Sequence, residues 1–181
     1  IETPGEEPRE AKRGEEVHGG DVLRTENSGS ATLIFADGSS SALGRKSALL
    51  VLQTYVPGPP KPYYTLVRQL QGDIVYNVND GSNFEVATPS SVVGAYGTQF
   101  RIIIDGNTGE GDVWVLQNSV YVSGPEDHAI LTASTPNSAR HLPRKRRRHG
   151  NGNGNNGNGN GNGGGNGNNP GNGNGGNGNG G

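Results

Sequence analysis

The fold class that the sequence predicts is all-β: a compact strand-rich sandwich, roll or short β-solenoid with a low-complexity C-terminal tail. Three observations carry this expectation. Apolar residues come as short runs of Val, Ile, Leu, Tyr and Phe, with no long stretch at helical spacing. Gly, Asp, Asn and Ser break those runs about every eight to twelve residues, the rhythm of short strands joined by tight turns. Residues 150–181 contain only Gly and Asn apart from Pro170, so no apolar burial can offset the entropy of ordering that Gly-rich backbone. The 181 residues therefore divide into four parts: an N-terminal arm at 1–11, flexible or ordered by assembly, one β domain at 12–139, a basic linker at 140–149 and a Gly/Asn-rich tail at 150–181.

Each element of the domain has its own signal. Gly20 and Asp21 open the first strong segment, in which a strand from Ala31 to Phe35 is ended by Asp37 and Gly38. Asp-Gly is a hairpin signal, because Asp can bond nearby backbone amides and Gly accepts the turn's backbone angles. A further strand starts near Ser41 and another covers Ala48 to Leu52. The stretch "YVPGPPKPYY" at 55–64 then interrupts the pattern. Its prolines, Pro57, Pro59 and Pro60 among them, lack amide donors and exclude a central strand. With Tyr55, Tyr63 and Tyr64 around them they form a candidate contact for a protein or a sugar, or a cover for a sheet edge.

Strands are next expected at Asp73 to Asn77, Asn83 to Thr88, Ser91 to Ala95 and Thr98 to Ile104, and the block from Gly111 alternates as a hairpin does. Gly-Asp before Val or Ile recurs at residues 20, 72 and 111, at intervals too unequal for a simple repeat. In "GAYGTQF" both Gly94 and Gly97 read as structural, allowing two backbones to approach before a buried strand.

Charge is segregated along the chain. The formal net charge is -2, yet all 17 acidic residues precede residue 140, and Arg140, Arg144, Lys145, Arg146, Arg147 and Arg148 follow one another with no acid between them. Arg144 to Arg148 are assembly or binding candidates for an anionic surface or an acidic neighbour. No aromatic residue stands among them for base stacking, which argues against specific nucleic-acid recognition. No run approaches the roughly 20 apolar residues of a membrane span. There is no cysteine, so no disulfide framework exists. The first residue is Ile1, which suggests a mature chain, secreted or placed at the cell surface after removal of a leader.

Signals for chemistry are sparse. His18, His128, His141 and His149 have no metal-ligand spacing, and neither an HExxH pattern nor a nucleophile elbow is present. Ser39, Ser40 and Ser41 follow a turn and suit turn bonding. The expectation is a protein that is not an enzyme. One loop offers a weak calcium site, because Asp105, Asn107, Glu110 and Asp112 set oxygen donors at short intervals in a Gly-rich loop, although without EF-hand spacing. No other cofactor is implied. Gly20, Asp21, Asp37, Gly38, Gly72 and Gly97 are read as structural turns.

The combination of Gly20-Asp21, Thr25, Ser28-Gly29-Ser30-Ala31, Phe35, Asp37-Gly38-Ser39, Leu43, Ser47, Gly72, Thr88-Pro89 and Gly97-Thr98-Gln99-Phe100 resembles the FecR domain family. The resemblance runs over residues 12 to 133 and implies an all-β domain exported across a membrane. In the best-known members the domain belongs to a membrane-bound regulator that passes an outer-membrane transport signal to a sigma factor. The Pro-rich stretch and the tail lie outside the shared pattern.

Two functions follow as expectations. The first is an extracellular structural or assembly protein, a self-associating filament or surface-layer subunit whose partners are copies of itself, with Asn amides in the tail bonding between neighbours. The second is an envelope sensor, or a module binding an envelope protein or polysaccharide.

Overall fold

Strand alternation sets the architecture, because every second side chain of a strand faces the same way. In β8 (Gln99–Ile104) the residues Phe100, Ile102 and Ile104 are buried, and in β6 (Ser82–Ala87) so are Phe84 and Val86. The computed structural model describes residues 1–55, 63–125, 127–133 and 139–142. These residues form twelve strands and no helix. The other strands are β1 (Val22–Arg24), β2 (Ala31–Ile34), β3 (Ser40–Leu43), β4 (Ala48–Tyr55), β5 (Tyr63–Asn77), β7 (Val92–Tyr96), β9 (Gly111–Gln117), β10 (Ser119–Ser123), β11 (His128–Thr132) and β12 (Ala139–Leu142).

The strands make two layers joined through β5. The first layer runs β1-β4-β5-β6-β7-β10-β11 and the second β2-β3-β5-β8-β9-β12. Every pairing is antiparallel except β5 with β6. The inner faces share one core, in which Phe84 of the first layer lies 5.8 Å from the Tyr76 ring, and Tyr76 stacks on Phe100 at 4.9 Å. Phe35 meets Phe84 edge to face at 5.1 Å.

The bend that lets β5 serve both layers is built at Gly72. Thr65, Val67 and Gln69 face the core before it, and Ile74 and Tyr76 after it, so the buried positions change from odd to even across the bend. Gly72 has φ +89°, and a Cβ there would lie 2.3 Å from Ser47 Oγ and 2.4 Å from Ser47 Cα. Only glycine fits both demands. Around it the buried Gln69 amide donates to Gly72 O at 2.9 Å and to Ile102 O at 3.0 Å, while Tyr76 OH donates to Gln69 Oε1 at 3.0 Å. Ser47 Oγ donates to Asp73 O and accepts from Asp73 N, and Ser47 N donates to Thr25 Oγ1 at 2.9 Å. Backbone groups left over by the bend are thereby satisfied away from water.

The expected strands are present, with three physical differences. First, β5 begins at Tyr63, well before Asp73, because the polar residues Gln69 and Gln71 that obscure its alternation serve the bend. Second, β9 and β10 are consecutive but unpaired, since Asn118 at φ +61° carries the chain from one layer to the other. The hairpin in that block is β10 with β11. Third, the short β1 and β12 are additional strands at layer edges. The start of the chain lies along β1, with Ile1 buried, Glu2 bridged to Val22, and Arg24 paired with the Glu2 carboxylate at 2.7 Å.

Candidate functional site

The outer face of the first layer carries the candidate site. Strand register lines up Leu66, Glu85, Gly94, Tyr121 and Ile130 in one row across β5, β6, β7, β10 and β11. The neighbouring row contains Tyr64, Asn83 and Tyr96. Since Gly94 brings no side chain, the sheet is low there, and a groove of about 530 Å³ opens between the flanking rings. Tyr96, Tyr121 and Ile130 are exposed at 60%, 47% and 71%, large values for apolar groups that a folding core would otherwise claim.

Polar groups in the groove are held in place. Tyr64 OH donates to Glu85 Oε2 at 3.1 Å, so Oε1 keeps its acceptor capacity. Burial first, and the Glu85 carboxylate second, push the Tyr64 hydroxyl pKa up, keeping it a donor at neutral pH. His128 of β11 lies beside Tyr121, with ring centroids 5.9 Å apart.

The structure distributes the residues singled out from sequence. Tyr64 lines the groove, whereas Tyr63, its neighbour along the strand, does not, because alternation turns the two apart. Tyr55 pairs in register with Tyr64 at the ends of β4 and β5. Pro57, Pro59 and Pro60 lie outside the described residues, as do Arg144, Lys145, Arg146, Arg147 and Arg148 and the tail. Sequence reading missed Glu85, Gly94, Tyr96 and Tyr121. The available signal was the set of outward aromatic residues in strands whose inward positions are Val or Ala.

The turn residues are structural. Asp37 accepts from Ser39 N at 2.9 Å and from Ser39 Oγ at 2.7 Å, and the Asn79 amide donates to Asp37 O beside Gly38. Asp21 accepts from His18 N at 2.8 Å, and that bond, more than any neighbouring charge, holds its carboxyl below the usual range. Gly20 donates its amide to Val51 O at 2.8 Å, just before β1. Gly97 sits at φ +57°, a backbone that favours glycine, with the end of the Asp80 side chain against it. Gly94 is different: the nearest atom to an added Cβ is Tyr121 O at 3.9 Å. Its reading as a close-approach glycine is corrected.

In the loop offered for calcium, Asp105 Oδ1 accepts from Asn107 N at 2.7 Å and Thr108 N at 2.9 Å. Those backbone bonds lower the Asp105 pKa. Asp112 stands in β9, opposite Ile103. Among the described residues no group of three or more His, Asp or Glu is placed to hold a metal ion. Nor does any helix among them have the length and apolar character to cross a membrane.

The strands of the first layer set the positions from which Tyr64, Tyr96 and Tyr121 project on its outer face. The chain belongs to the FecR protein family, whose model matches residues 21–121. The fold is similar to that in two crystal structures, at 2.50 Å and 1.65 Å, of a Parabacteroides distasonis ATCC 8503 protein assigned as an anti-sigma factor. In both comparisons the TM-score is 0.51 and the identity 16%, with 69% of this chain covered. The chain spans 60% of the length of those crystallised chains. No curated protein matches it. Membership of the FecR family overturns the reading as a structural filament or surface-layer subunit and favours the second of the two functions expected from sequence.

Proposed function

We propose that the domain is the recognition module of an envelope regulator, exposed outside the cytoplasm and binding an envelope protein or carbohydrate without catalysing a reaction. The observation that carries this reading is the open groove between Tyr64, Tyr96 and Tyr121 on a face of a FecR-family domain. Side chains fixed on a sheet lose little further freedom when a ligand docks, which favours recognition. Occupancy of the groove is the signal, and the regulator to which the domain belongs passes it on.

Transcript profiling in the native host tests the proposal. Deleting the chain and filling its groove with Gly94→Leu are expected to alter the same narrow set of transcripts. A deletion that leaves transcription unchanged, or a groove variant indistinguishable from wild type, overturns the reading.

A further inference from the structure

We propose that the groove takes a neutral, hydroxyl-rich carbohydrate chain, a reading that deepens the proposed recognition role and rests on it. The first support is the lining, which combines exposed aromatic rings, Tyr96 and Tyr121, with the Asn83 amide and the Glu85 carboxylate. Rings take up the apolar face of a sugar, and an amide with a carboxylate takes up its hydroxyl groups. Among the described residues that line the groove there is no Lys or Arg, and His128 lies beside it against Tyr121. Among the described lining residues the one formal charge is the Glu85 carboxylate, which disfavours anionic polymers there.

The same charge argues against a protein partner. Buried interface centres are depleted of charged residues, whereas here Glu85, held by Tyr64, stands on β6, the middle strand between the β1 and β11 edges. A hydroxylated ligand keeps that carboxylate hydrogen-bonded; an apolar protein surface would strip it of water.

Gly94 supplies the second, independent support. Glycine inside a strand costs stability, and it is retained where a turn, a close backbone or a ligand requires it. Its φ lies outside the left-handed region, and an added Cβ would meet only Tyr121 O at ordinary contact distance. No demand of the fold explains it. The missing side chain lets a flat ring sink between Tyr96 and Tyr121. From β5 to β10 the groove crosses three strand spacings, about 14 Å, which suits a short run of sugar units.

The test is a printed array of neutral and acidic oligosaccharides probed with the full chain, followed by calorimetric titration of the strongest binder. Tyr121→Ala is expected to weaken that binding about tenfold, and Gly94→Leu to abolish it while thermal unfolding shows the variant folded. Glu85→Gln, which keeps the shape, is expected to weaken binding less than Tyr121→Ala. A silent array, a preference for acidic glycans, or binding that survives Gly94→Leu overturns the carbohydrate assignment. If the array is silent while Gly94→Leu still alters transcription in the host, the sensor reading stands and only the ligand class falls.

Discussion

At the bend of β5, a methyl group on Gly72 would lie 2.3 Å from Ser47 Oγ, on a backbone already at φ +89°. In the middle of β7, the same methyl group on Gly94 would find nothing closer than Tyr121 O at 3.9 Å. One glycine sits where two layers of the sandwich join, the other where a sheet faces outward. Space around the missing side chain separates a glycine that the fold needs from one that shapes a surface.

The largest effect tests the bend. Gly72→Ala combines a left-handed backbone for a residue with a Cβ and a steric overlap with Ser47, each costing about 1–3 kcal/mol. A loss of several kcal/mol in chemical denaturation, or failure to fold, is the expected outcome. A variant as stable as wild type would show that the bend has room and that the contrast with Gly94 is false.

Next comes the polar network under the bend. Tyr76→Phe keeps the stacking on Phe100 but removes the donor to Gln69 Oε1, leaving a buried acceptor unpaired. A loss of about 1–3 kcal/mol is expected. Equal stability would mean that the aromatic core alone holds the join. Burial raises the Tyr76 pKa well above its ordinary value, so this contribution persists through the neutral range.

These two sites were unequally legible in the sequence. Asp37-Gly38 could be read as a turn because its chemistry is local, and β8 could be read as a strand from its apolar run, although Ile102, Ile103 and Ile104 in succession hide which face is buried. Gly72 was readable as a turn residue, but its bend was not, since the contacts that define it come from Ser47, Gln69 and Ile102 on other parts of the chain. The groove was harder still. Tyr64, Glu85, Gly94 and Tyr121 belong to four strands, and only register across β5, β6, β7 and β10 brings them together. Tyr63 and Tyr64 look equivalent in sequence beside the prolines, and alternation makes them different.

A smaller effect belongs to the outer face of the second layer, where polar side chains pair with one another. Arg101 grips Asp73 through two bonds, Nε to Oδ1 at 2.7 Å and Nη2 to Oδ2 at 2.5 Å, and Gln99 bonds Asn77. Both charged side chains are about two-fifths exposed, so solvent screening reduces what the pair contributes. Asp73→Asn is expected to cost under about 1 kcal/mol, and less as salt is raised. A large, salt-independent loss would place this face under the same structural demand as the bend.

Acid gives a related measurement at Asp21. Because the bond from His18 N lowers its pKa in the folded state, Asp21 stabilises the fold above its unfolded pKa. That contribution is lost as pH falls through the lower folded value. Stability of wild type and Asp21→Asn should therefore converge in strong acid and separate toward neutrality, as unfolding followed across pH will show; a constant difference would remove the carboxylate from the account.

The smallest effect has the opposite sign and decides the meaning of Gly94. Alanine there adds a methyl group at van der Waals distance from Tyr121 O, on a backbone that L-residues adopt readily. It also reduces the freedom of the unfolded chain, so Gly94→Ala is expected to raise stability by about 0.5–1 kcal/mol. A small gain would mean that the wild-type chain keeps a less stable residue at the floor of the groove, as a surface shaped for a ligand requires. If stability instead falls by as much as in Tyr76→Phe, β7 has a structural need for glycine that its neighbours do not reveal, and the groove is a by-product of folding.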